Sequence, residues 1–233
     1  MKRIFAQGLI LALFAGFTAC NDDDPAPYGA GELYVISKLE QPTVEGETPT
    51  VVYALHMEAV GQNEVATSVT VTGPGSASYT LDNTSGYFTK NTEYSSSVPL
   101  EGTYTFNYTF TSGAVATSQD VLSAEVLAPA TITMITVSDD QVDVEWEEVE
   151  GADAMEIVLR NSEDEMVFRS TTASYGYLNG DETEYTISTS AGQWGDAPQD
   201  GETYTLEVRG LLGGTQSYYQ AISIASEEIV WGE

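Results

Sequence analysis

The chain has 233 residues, 36 of them acidic and 7 basic, for a formal net charge of −29 with its single histidine neutral. That imbalance excludes nucleic-acid binding, which needs basic side chains to neutralise phosphates, and it disfavours docking on anionic lipid head groups. A single cysteine excludes a disulfide framework and multi-thiolate metal sites.

Lys2 and Arg3 open the chain, an apolar run follows from Ile4 to Phe17, and the small residues Thr18 and Ala19 close it. That is the order of a secretory signal, and the run is shorter than the roughly 20 residues that cross a hydrocarbon core. Residues 1–19 are therefore read as a signal peptide. Its removal leaves five basic residues against 36 acidic ones, a net charge of −31. Phe17-Thr18-Ala19-Cys20 resembles the lipobox of bacterial lipoproteins, with Phe17 where that family usually has leucine. The resemblance implies that Cys20 is acylated and anchors the protein in outer-membrane lipid. Several acyl chains, at about 0.8 kcal/mol per buried CH₂, hold a protein durably where one does not. Asn21-Asp22-Asp23-Asp24 resembles the export signal of Bacteroidota-type surface lipoproteins, which implies an anchor facing the extracellular side. Read as bare residues, the run is a solvated leader of like charges.

Asp24-Pro25-Ala26-Pro27-Tyr28-Gly29-Ala30-Gly31 has no periodicity and reads as a flexible Pro/Gly tether, so residues 20–31 are assigned to a linker. Structure is expected to begin near Glu32 with the apolar run Leu33 to Ile36. Between Val51 and Val60, Val51, Tyr53, Leu55, Met57 and Ala59 share one strand face, and Val52, Ala54, His56, Glu58 and Val60 the other. Val69 and Val71 mark a strand that ends at Gly73-Pro74-Gly75. Tyr104, Phe106, Tyr108 and Phe110 alternate with Thr105, Asn107 and Thr109, and Ser112-Gly113 turns this strand into a hairpin partner from Ala114 to Leu122. Ala128-Pro129-Ala130 reads as a boundary, because proline breaks the ladder and periodicity restarts beyond it. Further strands are expected around Val142–Trp146, Met155–Leu159, Met166–Phe168, Tyr185–Thr189, Tyr204–Arg209 and Tyr218–Ile224. No stretch after the signal sustains a 3.6 period.

Trp146-Glu147-Glu148-Val149-Glu150-Gly151-Ala152, followed by Met155, resembles the start of a fibronectin type III domain, in which an early core tryptophan precedes a V-x-G-A turn. Met155 stands where that family usually has tyrosine. Gly201 to Arg209 resembles its penultimate strand, which implies that Tyr204 is the tyrosine corner of such sandwiches. Pro99 to Phe106 parallels Pro198 to Leu206, so the first half is read as immunoglobulin-like. The fold class is therefore all-β, with two β-sandwich domains, immunoglobulin-like over residues 32–127 and fibronectin type III-like over residues 129–233.

His56 shares a strand face with Glu58 but has no second histidine for a zinc site, and it reads as a surface histidine. Among 36 acids some pair always falls at a glycosidase-like separation, so carboxylate pairs single out nothing. Asp139-Asp140, Glu163-Asp164-Glu165 and Asp181-Glu182 with Glu184 lack the calcium-loop spacing and read as solvated loops. Neither a metal nor another cofactor is expected. The stretch Ser188 to Asp200 is longer than a sandwich loop requires, and its Gln193-Trp194-Gly195-Asp196 combines an aromatic face with an amide and a carboxylate. Trp194, Gln193 and Asp196 are the expected ligand-binding residues, with Tyr175, Tyr177, Tyr218 and Tyr219 as further aromatic candidates. The expectation is a non-catalytic binding or adhesion module of the cell surface with a glycan or protein ligand. The alternative is a fimbrial or structural assembly subunit, which usually carries a processing arginine after its first strand. Before Arg160 the mature chain has only Lys38 and Lys90.

Overall fold

The computed structural model describes residues 25–42, 48–123, 125–171, 176–190, 193–213 and 219–232. Cys20, Asn21, Asp22, Asp23 and Asp24 lie outside the described residues, as do Tyr175, Gly192 and Tyr218. Among the described residues sixteen strands follow one another, with one 3₁₀ turn at Pro74–Ser76. The first half holds β1 (Tyr28–Glu40), β2 (Thr50–Gln62), β3 (Ala66–Thr72), β4 (Ser78–Thr80), β5 (Asp82–Thr84), β6 (Tyr87–Asn91), β7 (Gly102–Phe110) and β8 (Val115–Leu122). The second holds β9 (Ile132–Val137), β10 (Gln141–Trp146), β11 (Ala154–Arg160), β12 (Met166–Arg169), β13 (Leu178–Asn179), β14 (Glu184–Ser188), β15 (Thr203–Leu212) and β16 (Ala221–Val230).

The chain is all-β, and alternation places its side chains as expected on β7, where Tyr104, Phe106, Tyr108 and Phe110 are all buried. They meet Leu33, Leu55, Met57 and Phe88 in a first core. A second core gathers Trp146, Ile157, Phe168, Leu206, Val208 and Trp231. Two facing layers around each core give each half its sandwich character. The four-stranded sheet β4-β3-β7-β8 covers the first core and the three-stranded sheet β14-β10-β9 the second.

The layer opposite them is common to both halves. It is one sheet in the order β12-β11-β15-β16-β1-β2-β6-β5, with β13 beside β11. The join is β1 against β16, the first described strand beside the last, parallel from Val35↔Ala221 to Lys38↔Ile224. Ala154, Leu211 and Ile222 form a small apolar cluster at this seam. The boundary segment is not a loose connection: Leu127 and Ala130 are buried in the second core, and the Leu127 carbonyl accepts a hydrogen bond of 2.6 Å from the Ser37 hydroxyl of β1.

The tether expectation needs correcting. β1 starts at Tyr28, so Gly29, Ala30 and Gly31 belong to a strand, paired with Gly61, Val60 and Ala59 of β2. The rings of Tyr108 and Phe106 lie flat on the two glycines. A Cβ on Gly29 would sit 2.3 Å from Tyr108 ring carbons, and one on Gly31 would sit 2.5 Å from Phe106. Glycine here admits a close approach of ring to backbone, the other use of that residue.

Both halves carry a tyrosine corner. The Tyr104 hydroxyl donates to the Leu100 carbonyl at 2.8 Å, and the Tyr204 hydroxyl accepts from the Gln199 backbone N–H at 3.0 Å. Each ring is almost fully buried. Tyr104→Phe and Tyr204→Phe are each expected to cost about 1 kcal/mol, since each leaves a backbone group without its partner. Urea unfolding of the two variants checks this, and an unchanged midpoint would mean that the corners contribute nothing.

Candidate functional site

The first sandwich is closed along one side and open along the other. On the closed side β8 lies beside β1, where Asp120 Oδ2 accepts from the Leu33 backbone N–H at 2.9 Å. On the open side the shared sheet is prolonged past β6 by the segment 92–95, whose Ser95 exchanges two backbone hydrogen bonds with Tyr53, at 2.7 and 2.9 Å. Facing it is β4, which among the described residues pairs only with β3. Between these two edges lies a cleft of about 710 Å³, within the size range of small-ligand sites.

Its floor is the first core itself, Leu55 and Tyr104. Tyr53 of β2 and Tyr79 of β4 line it from opposite sheets, both partly buried against that core. Lys90, Ser95 and Ser97 add polar groups, and Val98 and Leu100 form an exposed apolar rim. Burial, and behind it the neighbouring Tyr79 phenol, holds Tyr104 above the usual phenol range, so its hydroxyl stays a neutral donor. Lys90 Nζ lies 3.6 Å from Asp82 Oδ2, a contact whose carboxylate is largely exposed. Lys38 instead sits over the Tyr94 ring, 4.0 Å from its centroid.

A second constellation occupies the face of the shared sheet away from the first core. Glu32 and Glu58 are direct cross-strand partners on β1 and β2, beside a hollow of about 180 Å³ that Tyr87 also lines. Glu58 Oε2 accepts from the Tyr87 hydroxyl at 2.6 Å, and His56 Nε2 lies 3.5 Å from the same oxygen. His56 Nδ1 is 2.6 Å from Asn91 Oδ1, and its ring stacks on Tyr34 with centroids 4.6 Å apart. The histidine is thus mostly buried, with a side chain 16% exposed, and not the solvated surface residue expected from the sequence. Packing of Tyr34 against it, with Tyr219 edge-on to Tyr34 at 5.8 Å, takes the ring out of water.

The two carboxylates are driven apart. Burial pushes Glu32 up to about 7, against the Tyr219 backbone N–H that binds its Oε1 at 3.0 Å, with Glu58 and Asp120 adding repulsion. The hydrogen bond with His56 holds Glu58 below the usual carboxylate range, despite its burial. Glu32 is therefore more basic folded than unfolded, so the native state binds the extra proton between the two values. Its contribution is fully present below the unfolded value and is lost as pH rises through about 7. Glu58 has the opposite sign, and its contribution is lost only as pH falls through its lowered value. Glu32→Gln should remove this part of the decline in stability between about pH 5 and 7 and exceed the wild type at about pH 8. Urea unfolding across pH tests it, and parallel curves for the two proteins would refute it.

The loop expected to bind ligand is placed differently. Trp194 does not face outward: its ring packs on Phe168 at 4.9 Å and edge-on to Trp231 at 5.4 Å. Its indole N–H donates to the Ser188 carbonyl at 2.8 Å. The extra loop length is used to fold back on β12, where Trp194 bridges to Phe168 and the Gly195 N–H reaches the Val167 carbonyl. Gln193 Nε2 donates to the Ser170 carbonyl and to the Tyr185 hydroxyl, at 3.2 and 3.3 Å. Asp196 alone is exposed, beside a polar hollow that it shares with Glu163 and Glu202. The three residues are not brought together on one surface. Tyr177 and Tyr219 do meet, hydroxyl to hydroxyl, at the seam.

Sequence reasoning missed the cleft. Tyr53 was legible only as a core-face residue, and Tyr79 lies in a three-residue strand too short to alternate. The usable signal was the hydroxyl-rich run from Ser95 to Ser97, unassigned between two strands.

No family model matches the chain, and no curated protein matches it. Solved structures do. A two-domain fibronectin type III segment of chicken tenascin aligns over 83% of this chain and 97% of its own, with 13% identity and a TM-score of 0.30. The first three fibronectin domains of chicken CNTN1 align over 76% of this chain and 63% of theirs, with 13% identity and a TM-score of 0.32. The BSP domain of a biofilm-associated protein aligns over 76% of this chain and 27% of its own, with 17% identity and a TM-score of 0.26. The structures to which this chain is similar thus include fibronectin type III domains and a biofilm-associated domain.

Proposed function

We propose that the protein is a non-catalytic binding or adhesion module of the cell surface, carrying a glycan or protein ligand in the cleft of its first sandwich. The observation that supports this is the cleft itself, about 710 Å³ of partly apolar space between two sheet edges that are unpaired among the described residues, floored by the core and lined by two tyrosines. A rigid sandwich presenting a preformed recess holds a ligand with little ordering cost. The anchor belongs to the same proposal. Cys20 holds the protein in outer-membrane lipid, and Asn21, Asp22, Asp23 and Asp24 direct it to the extracellular side.

Cys20→Ser is expected to move the protein from the detergent phase to the aqueous phase. Normal membrane partitioning of that variant would sink the anchor. A panel of glycans and matrix proteins, presented to the full chain carrying Cys20→Ser, tests the cleft. Binding undiminished by Ser97→Trp, which fills the cleft from its exposed rim, would place the ligand elsewhere.

A further inference from the structure

The polar groups of the cleft select among ligands, and we infer that it takes an uncharged, hydroxyl-rich chain, a neutral oligosaccharide lying between β4 and the segment 92–97. The inference rests on the cleft being the binding site.

Its first support is the pair Tyr53 and Tyr79. They enter from opposite sheets, and neither hydroxyl forms a hydrogen bond among the described residues. An aromatic face takes the C–H side of a sugar ring, while a phenol O–H both donates to and accepts from its hydroxyls. The second support is charge. In a chain with 36 acids the cleft is lined by one carboxylate, Glu93, and one ammonium, Lys90. An anionic ligand would meet a single cation on a body of net charge −31 once residues 1–19 are gone. A cationic ligand would find a single carboxylate with which to replace its hydration. A neutral polyol incurs neither cost and uses both groups as hydrogen-bond partners. The third support is preorganisation. Thr92 Oγ1 accepts from the Leu55 N–H at 2.9 Å, and Ser95 Oγ donates to the Ser97 carbonyl at 3.0 Å. Those two hydroxyls hold the wall in shape and leave the Ser97 hydroxyl and the tyrosines for the ligand.

The test uses calorimetry on the full chain carrying Cys20→Ser. The probes are neutral gluco-, manno-, galacto- and xylo-hexasaccharides, a matched uronate-containing set, and extended uncharged peptides. The expected result is saturable binding of at least one neutral hexasaccharide, insensitive to salt and weakened about tenfold or more by Tyr79→Ala. Thermal unfolding checks the fold of Tyr79→Ala, and Ser97→Trp replaces it if that variant does not fold. Tighter, salt-dependent binding of the uronate set would overturn neutrality. Peptide binding abolished by Ser97→Trp, with no sugar bound, would overturn the sugar and leave the cleft as the site. Neutral-sugar binding untouched by both cleft variants, or no binding by any probe, would overturn the inference.

Discussion

Arg209→Met is expected to lower the stability of the protein by about 3–5 kcal/mol, the usual cost of removing one partner from a buried ionic group. Arg209 reaches from β15 to Glu156 on β11, Nη1 to Oε2 at 3.4 Å, and its Nε donates to Glu207 Oε2 at 2.8 Å. Arg169 completes the pairing of Glu156, and Arg160 that of Glu207 at 3.1 Å. Glu156 has a side chain only 2% exposed, so the variant leaves its charge short of a partner where water cannot replace it. Replacing Glu156, Arg169 and Arg209 together with leucine should cost much less than Arg209→Met alone, because the most deeply buried carboxylate goes with its partners and the more exposed Glu207 keeps Arg160. Equilibrium urea unfolding of both proteins decides it. A triple variant weaker than the single one would show that these side chains act through packing and not through charge.

Gly29→Ala and Gly31→Ala should each destabilise the protein by about 1–3 kcal/mol, the range for overpacking a filled core. Neither glycine has the left-handed backbone that would itself penalise alanine, so the obstacle is the ring facing it, Tyr108 or Phe106. Both rings are buried at the centre of the first core and have no room to withdraw. The tether reading makes the opposite prediction. In a loose linker, exchanging glycine for alanine is neutral or stabilises by about 0.4–1 kcal/mol, through the unfolded chain. The sign of the change in the urea midpoint therefore distinguishes a strand from a tether. A neutral or positive shift would remove Tyr28–Gly31 from the sheet.

These glycines illustrate how far the sequence could be read. Gly-Ala-Gly after two prolines has the composition of a linker, and nothing local distinguishes it from a seat for two aromatic rings. The rings that require it are more than 70 residues away on β7. Trp194 is similar: an aromatic flanked by Gln193 and Asp196 in a long loop suits a ligand platform, but the same ring also fills a gap between Phe168 and Trp231. β9 escaped notice because a register shift opposite Glu145 and Trp146 breaks its period. Ile132, Ile135 and Val137 therefore do not fall two residues apart throughout. The ionic network was visible only as an oddity, all five basic residues after residues 1–19 lying within or at the end of strands, three of them the arginines of the network.

The sequence by itself determined the all-β class, the inward faces of β7, β10 and β15, the tyrosine corner at Tyr204 and the strongly acidic character of the chain. Each of these is set by alternation, turn chemistry or charge within a few consecutive residues. Only the tertiary structure decided that β1 lies beside β16, that one sheet serves both cores, and that β4 and the segment 92–95 stand apart across a cleft. Period-two alternation specifies the face on which a side chain lies. It does not specify the neighbouring strand, because the ladder is made by backbone groups that every residue but proline carries alike.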